Sequence, residues 1–294
     1  MAMKRSMYLC VALAACSPAP ARVPATVARP AGRPVTLTYL GVAGWQIEGA
    51  GKLILTDPYL SRPKDLEQPL VPDAVAIAAH TPARADLVVV GHSHWDHLLD
   101  APSVALRTGA HLIGSAATTR VARATGMTDA QLTTVKGGED YALDGFSLRV
   151  IPSLHSAIGD EWLFRDPVPG TMKLPMTEAG YVEGGTFAYL IRIAGREIVV
   201  LDTANFIERE LDGLRPDIAI IAPGYREKIH DYTCRLLHAL GDPPTVLATH
   251  FDDTRGPPVD APPGDDLQKF IAEVQHCAPR TRLIIPHHFA AMTL

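Results

Sequence analysis

The stretch Asp86-Leu87-Val88-Val89-Val90-Gly91-His92-Ser93-His94-Trp95-Asp96-His97 decides how this chain is read. Residues 86–90 are Asp86 and then an unbroken apolar run rich in β-branched side chains, the pattern of a short strand buried on both faces. Directly after it, three imidazoles and a carboxylate crowd into six positions. In extended chain, residues two apart point the same way, so His92 and His94 can grip one ion. Once the backbone turns, Asp96 and His97 can reach a second ion beside it. A strand ending in such a cluster delivers several ligands to one point on the rim of a sheet, where loops build sites. A surface loop can also collect histidines without function, so the rest of the chain must decide.

Three further candidates stand just past strand-like runs. His155 follows the run 146–151, Asp202 closes 197–201, and His250 closes 245–249. Taken singly, Asp202 reads equally well as a helix cap and either histidine as a surface residue. As a set with the cluster they point to a metal centre. Imidazole and carboxylate suit zinc, with Fe or Mn as alternatives, and no Cys belongs to the set.

With these residues in place, the chain resembles the metallo-β-lactamase superfamily, in the broad branch that includes ascorbate-phosphate lactonases and N-acyl-phosphatidylethanolamine phospholipase D. The H-x-H-x-D-H signature is His92, His94, Asp96 and His97, and the family's later His, Asp and His match His155, Asp202 and His250. Leu40-Gly41-Val42-Ala43-Gly44-Trp45 and Leu53-Ile54-Leu55-Thr56-Asp57-Pro58 look like that branch's opening hairpin and Asp-Pro turn. The likeness spans residues 35–294. It implies an α/β fold, a four-layer αββα sandwich of two mixed β-sheets. It also implies two Zn²⁺: His92, His94 and His155 on one, Asp96, His97 and His250 on the other, Asp202 between them. Asp96 is expected to serve catalysis as well as metal binding. The implied activity is a metal-dependent hydrolase in which a metal-bridging hydroxide attacks an ester, lactone or phosphodiester bond. Two other readings stay open: a non-catalytic metal-binding envelope lipoprotein, and an iron-dependent sulfur-oxidising relative.

Around the ligands the signals are weaker. Asp57, ending a neighbouring strand, is placed to accept the second ring N–H of a ligand histidine, although a turn residue before Pro58 reads the same way. Residues 156–185 form a long loop containing Trp162, a candidate lid or groove wall. Trp45 on the opening hairpin, and Tyr225, Arg226 and His230 after the strand 217–222, are further candidates for substrate binding. His287 and His288 read as structural or surface residues.

Strands are expected at 35–40, 43–47, 52–56, 86–90, 111–114, 146–151, 186–193, 197–201, 217–222, 245–249 and 282–285. Helices are expected from Asp100 to Gly109 and at 115–125, 230–240 and 265–276. Hairpins first, then strands alternating with helices, suggest mixed sheets with helices outside. Of 294 residues, 47% are hydrophobic and 20% charged, the balance of a folded protein, and the net charge of −5 leaves no basic footprint for nucleic acid. The expected substrate is a small or lipid-like molecule; no oligomeric state follows from the sequence.

The N-terminus reads as a targeting segment, with Lys4 and Arg5 ahead of a short apolar stretch. Leu13-Ala14-Ala15-Cys16 resembles the lipobox of bacterial lipoproteins, which implies a signal peptide over residues 1–15 and a membrane anchor on Cys16. Ser17 rather than Asp follows, pointing to the outer membrane, facing the periplasm. Residues 16–34, rich in Pro and Ala, form an extended tether to the hydrolase domain, 35–294. Cys234 and Cys277 are either buried free thiols or one disulfide.

Overall fold

A computed structural model describes residues 32–158 and 172–294. The expected signal peptide and most of the tether lie outside the described residues. Alternating burial along the strands builds two sheets of seven strands. The first holds β1 (Thr36–Gly41), β2 (Gly44–Gly49), β3 (Lys52–Thr56), β4 (Leu87–Val89), β5 (His111–Gly114) and β6 (Leu132–Thr134). The second holds β7 (Asp140–Leu143), β8 (Phe146–Pro152), β9 (Phe187–Ile193), β10 (Arg196–Leu201), β11 (Ile218–Ile221), β12 (Thr245–Ala248) and β13 (Arg282–Ile284). The chain then returns as β14 (Ala291–Thr293) to the edge of the first sheet beside β1.

Both sheets are mixed. β3, β4, β5 and β6 run parallel, as do β10, β11, β12 and β13, while β1–β2–β3 and β7–β8–β9–β10 are antiparallel. The β4 residues show why: Leu87 and Val89 enter the core between the sheets, and Val88 faces the helices. In β10 the split repeats, with Ile198 and Val200 between the sheets and Val199 and Leu201 against the opposite helical layer. Full burial on both faces is what an unbroken apolar run requires.

The helices cover the outer faces. The first sheet carries α1 (Ala74–His80), α2 (Trp95–Leu98), α3 (Ala101–Thr108) and α4 (Ala116–Ala124); the second carries α5 (Glu208–Leu211), α6 (Tyr232–Ala239) and α7 (Asp265–Cys277). This is the expected αββα layering. Ser115 caps α4 by accepting from the Thr118 amide at 3.1 Å, and Gly109 ends α3 at φ 73°, a left-handed turn that suits glycine. Cys234 on α6 and Cys277 on α7 form a disulfide, which closes the question left open by the sequence.

Several elements depart from expectation. α1, α2, α5, β6, β7 and β14 are not among the expected elements. Strand ends move by a residue or two, and the 217–222 and 245–249 runs give up their last residues to the loops that carry the site. Within the 156–185 loop, Met172, Leu174 and Met176 pack against the first helical layer, and Leu70 donates to the Met176 carbonyl at 2.8 Å. That part of the loop is therefore anchored wall.

Asp100 pins the chain between β3 and α1. Its carboxylate accepts from the amides of Leu60 and Ser61 at 2.6 and 2.7 Å and from Ser61 Oγ at 2.5 Å. Burial outweighs these bonds and pushes its pKa from 3.8 up to about 6. Asp100→Ala leaves two buried amides unpaired and is expected to cost about 2–4 kcal/mol. A folded-state pKa above the unfolded one means that this stability is present below pH 3.8 and declines as pH rises through about 6. Urea titrations of both proteins between pH 4 and 7 check the size and the slope.

Candidate metal centre

Every strand that feeds the site ends at the same rim. β3, β4, β8, β10 and β12 are followed by Asp57, His92, His155, Asp202 and His250. Because β4 gives way to α2 within five residues, His92 and His94 stay in the connecting loop, while Asp96 and His97 ride on the first helical turn. Gly91 leaves room for the Asp202 carboxylate: any side chain there collides with it.

The structure brings all seven expected ligands together. His92, His94 and His155 place ligand atoms within 4.8 Å of one another, as do Asp96, His97 and His250, and His92, His97 and Asp202. Asp202 Oδ2 lies 2.7 Å from His92 Nδ1 and 3.3 Å from His97 Nδ1, between the two groups. His155 Nδ1 donates to the Ser156 carbonyl at 2.9 Å, which leaves its Nε2 for an ion. Asp57 lies beside the ligands: Oδ1 accepts from the Gly91 amide at 2.8 Å, and Oδ2 lies 3.4 Å from His97 Nδ1 without a hydrogen bond to it.

The electrostatics suit cations. Burial, followed by the neighbouring imidazoles, holds His92 well below the ordinary imidazole value. Burial, with His155 beside it, brings His94 to about 4. His97 and His155 are lowered first by burial as well. These four rings are neutral at pH 7 and keep lone pairs to donate. His250 is the exception: burial opposes its charge, but the Asp96 carboxylate 3.3 Å away raises it. Burial and mutual repulsion lift Asp57 well above the carboxylate range, and burial lifts Asp202. His92 Nε2 is fully buried and has no hydrogen-bond partner. An orphaned nitrogen beside buried carboxylates is costly unless a cation satisfies both. The donor set fits a pair of divalent ions.

The cleft above the centre has a volume of about 1110 Å³. Among the described residues, Tyr225 is the one expected substrate residue that lines it, from a left-handed backbone at φ 64°. The four others need correction or lie out of view. Trp45 does not reach substrate: its ring is 0% exposed between the sheets, where Nε1 donates to Thr249 Oγ1 at 2.9 Å. Arg226 is buried away from the cleft, bound to Asp266 and Glu273 of α7 at 2.6 and 2.8 Å, and its charge is spent on bracing that helix. His230 is exposed and outside the cleft lining, because the turn before α6 points it to solvent. Trp162 lies outside the described residues.

Other lining residues were not foreseen, among them Trp95, Thr203, Glu178 and Asp253. Asp252, two positions after His250, was also overlooked. It accepts from Tyr39 Oη at 2.6 Å, the Val42 amide at 2.8 Å, Arg62 at 3.0 Å and His288 Nε2 at 3.0 Å. This network ties the His250 loop to the first hairpin and gives His288 a structural role. Its only trace in the sequence is spacing from a ligand.

A family model described as a beta-lactamase superfamily domain matches residues 36–224, well over half of the chain. The chain belongs to the β-lactamase superfamily. Six of the seven candidate ligands fall inside the matched stretch, and β12 brings the seventh, His250, to the same rim. The two seven-stranded sheets are those of the metallo-β-lactamase fold within this superfamily. A UPF0173 metal-dependent hydrolase of Methanopyrus kandleri is 26% identical over 252 residues, covering 85% of this chain and 95% of that protein. Another, from Aeropyrum pernix, is 34% identical over 137 residues, covering 42% of this chain and about half (52%) of its own length. Among solved structures, Igni18, a metallo hydrolase from Ignicoccus hospitalis, superposes with a TM-score of 0.60 at 22% identity. That match covers 89% of this chain and 99% of Igni18, and it speaks to fold.

Proposed function

We propose that this chain is a metal-dependent hydrolase that cleaves an ester, lactone or phosphodiester bond with two divalent cations, zinc being the ion the donor set suits best. The observation that carries this reading is the convergence of seven ligand-type side chains around the buried, unpartnered His92 Nε2. The names of the UPF0173 relatives support it. His92, His94 and His155 would hold one ion, Asp96, His97 and His250 would hold the other, and Asp202 would serve both. Ions bound there supply a Lewis acid for the attacked oxygen and a water of lowered pKa.

The chain's own groups do the rest. The Ser156 carbonyl fixes the ring of His155, and Asp57 Oδ2 lies 3.4 Å from the His97 ring. Asp96, kept ionised against the pull of burial with the raised His250 imidazole 3.3 Å away, lines the cleft and would orient the water that reacts there.

Metal analysis of protein purified without added zinc should give two equivalents. His94→Ala removes one ligand from one group and should cost at least the roughly hundredfold typical of losing even an outer partner of a metal site. A folded variant with full turnover of a chromogenic ester and phosphodiester panel overturns the assignment.

The setting we propose is the cell envelope, with the chain anchored in the outer membrane through a lipidated Cys16. The Cys234–Cys277 pairing supports an oxidising compartment. Mass spectrometry of the N-terminus decides it: an unmodified, uncleaved start refutes the anchor.

A further inference from the structure

Beyond the ligands, the cleft has two walls of different chemistry. The loop before α7 presents Pro257, Pro258, Val259, Pro262 and Pro263 to the cleft. Val259 is 65% exposed, and Tyr225, which also lines the cleft, is 48% exposed. Proline fixes this loop, so its apolar surface is in place before a ligand arrives. A pre-ordered apolar strip at the mouth of a polar centre is shaped for the non-reacting part of a substrate.

The charged lining has one sign. Glu178, Asp252, Asp253, Asp265 and Asp266 line the cleft outside the metal ligands, and among the described residues no Lys or Arg does. Two of these carboxylates are compensated: Asp252 by Arg62 and His288, and Asp266 by Arg226. Both guanidinium groups are buried in those pairings and unavailable to a ligand. Glu178, whose Oε1 accepts from Trp95 Nε1 at 3.2 Å, remains along the wall, and Asp253 and Asp265 remain at the exposed rim. Two acids at the start of α7 also favour that helix end, which explains their presence but leaves the field they cast on the cleft. The buried, unpartnered His92 Nε2 marks the reacting end of the same cleft.

Resting on the hydrolase reading above, we propose that the cleft selects amphiphilic substrates. The reacting group meets the metal centre, an apolar chain lies along Val259 and its neighbouring prolines, and the far terminus is neutral or cationic. A terminal carboxylate or phosphate is turned away by Asp253 and Asp265. Selection then acts by repulsion of the wrong charge as much as by attraction of the right one.

Three p-nitrophenyl esters of one eight-carbon acyl length, ending in methyl, trimethylammonium or carboxylate, test this on the metal-loaded protein. At low salt the trimethylammonium ester should exceed the carboxylate ester in kcat/KM by about tenfold, the range open to two exposed carboxylates acting together. The gap should close to about twofold in the Asp253→Asn/Asp265→Asn protein and in high salt. Among methyl-ended esters, each CH₂ added between four and eight carbons should raise kcat/KM about twofold, since the strip covers the chain on one side only. Val259→Ser should flatten that rise. A carboxylate ester cleaved as well as its cationic partner, or no response to chain length, overturns the proposal.

A second readout is independent of turnover. Metal-free protein titrated with decyltrimethylammonium and decyl sulfate, below micelle formation, should prefer the cation, and the double Asn variant should lose much of that preference. Binding with this dependence but no cleavage of any ester, lactone or phosphodiester in a chromogenic panel fails the hydrolase reading and upholds the ligand class. Equal binding of the two detergents overturns the ligand class.

Discussion

Asp202→Ala is expected to lower turnover about 10⁴-fold and to strip metal from both positions, because a shared ligand weakens two centres at once, each by roughly a hundredfold. Asp202 Oδ2 stands between His92 and His97, one from each group, and both contacts vanish together. The rings it steadies lose their orientation as well as their neighbour. His94→Ala, confined to one group, should retain the second ion. Metal stoichiometry separates the two variants: near none for Asp202→Ala, near one for His94→Ala. The folded core should survive, since replacing Asp202 also removes a buried carboxylate that Asp57 repels in the metal-free protein. An Asp202→Ala protein that keeps two ions and most of its activity rules out a shared ligand at this position.

Trp45→Ala should destabilise the fold by about 3–5 kcal/mol, the usual penalty for emptying a large aromatic site in a core. The ring packs 5.0 Å from Tyr39, and its indole N–H bonds the Thr249 hydroxyl, which in turn donates to the Val42 carbonyl at 2.8 Å. Thr249 immediately precedes His250, so the cavity opens behind a candidate ligand. Trp45→Phe keeps most of the volume, loses the hydrogen bond, and should cost about 1–2 kcal/mol. Urea unfolding measures both. A loss under 1 kcal/mol for the alanine variant, with KM strongly raised, restores the substrate-binding role that the hairpin position suggests.

The difference between these residues shows which parts of the site were legible in the sequence. The 86–97 stretch was readable because ligand spacing and strand burial are local properties: Leu87–Val89 is buried on both faces, and the motif follows at once. His155, Asp202 and His250 could be placed because each ends an apolar run. Trp45 and Arg226 were misplaced because their partners are remote in sequence. Thr249 meets Trp45 across the two sheets, and Glu273 and Asp266 reach Arg226 from α7. A cationic side chain near a site reads as a ligand binder until its counter-ions are known. β14 escaped for another reason. It has three residues, two of them exposed, and owes its existence to backbone pairing with β1 rather than to any apolar pattern.

The candidate ligands are scattered from residue 92 to residue 250 and come from both sheets. Neither half of the polypeptide holds a full set, so a truncated translation product or a proteolytic fragment ending before β12 has no complete second group. On the proposed reading, ion capture would be among the last events in maturation, after the two sheets have docked, and the metal taken up would be the one available where docking happens.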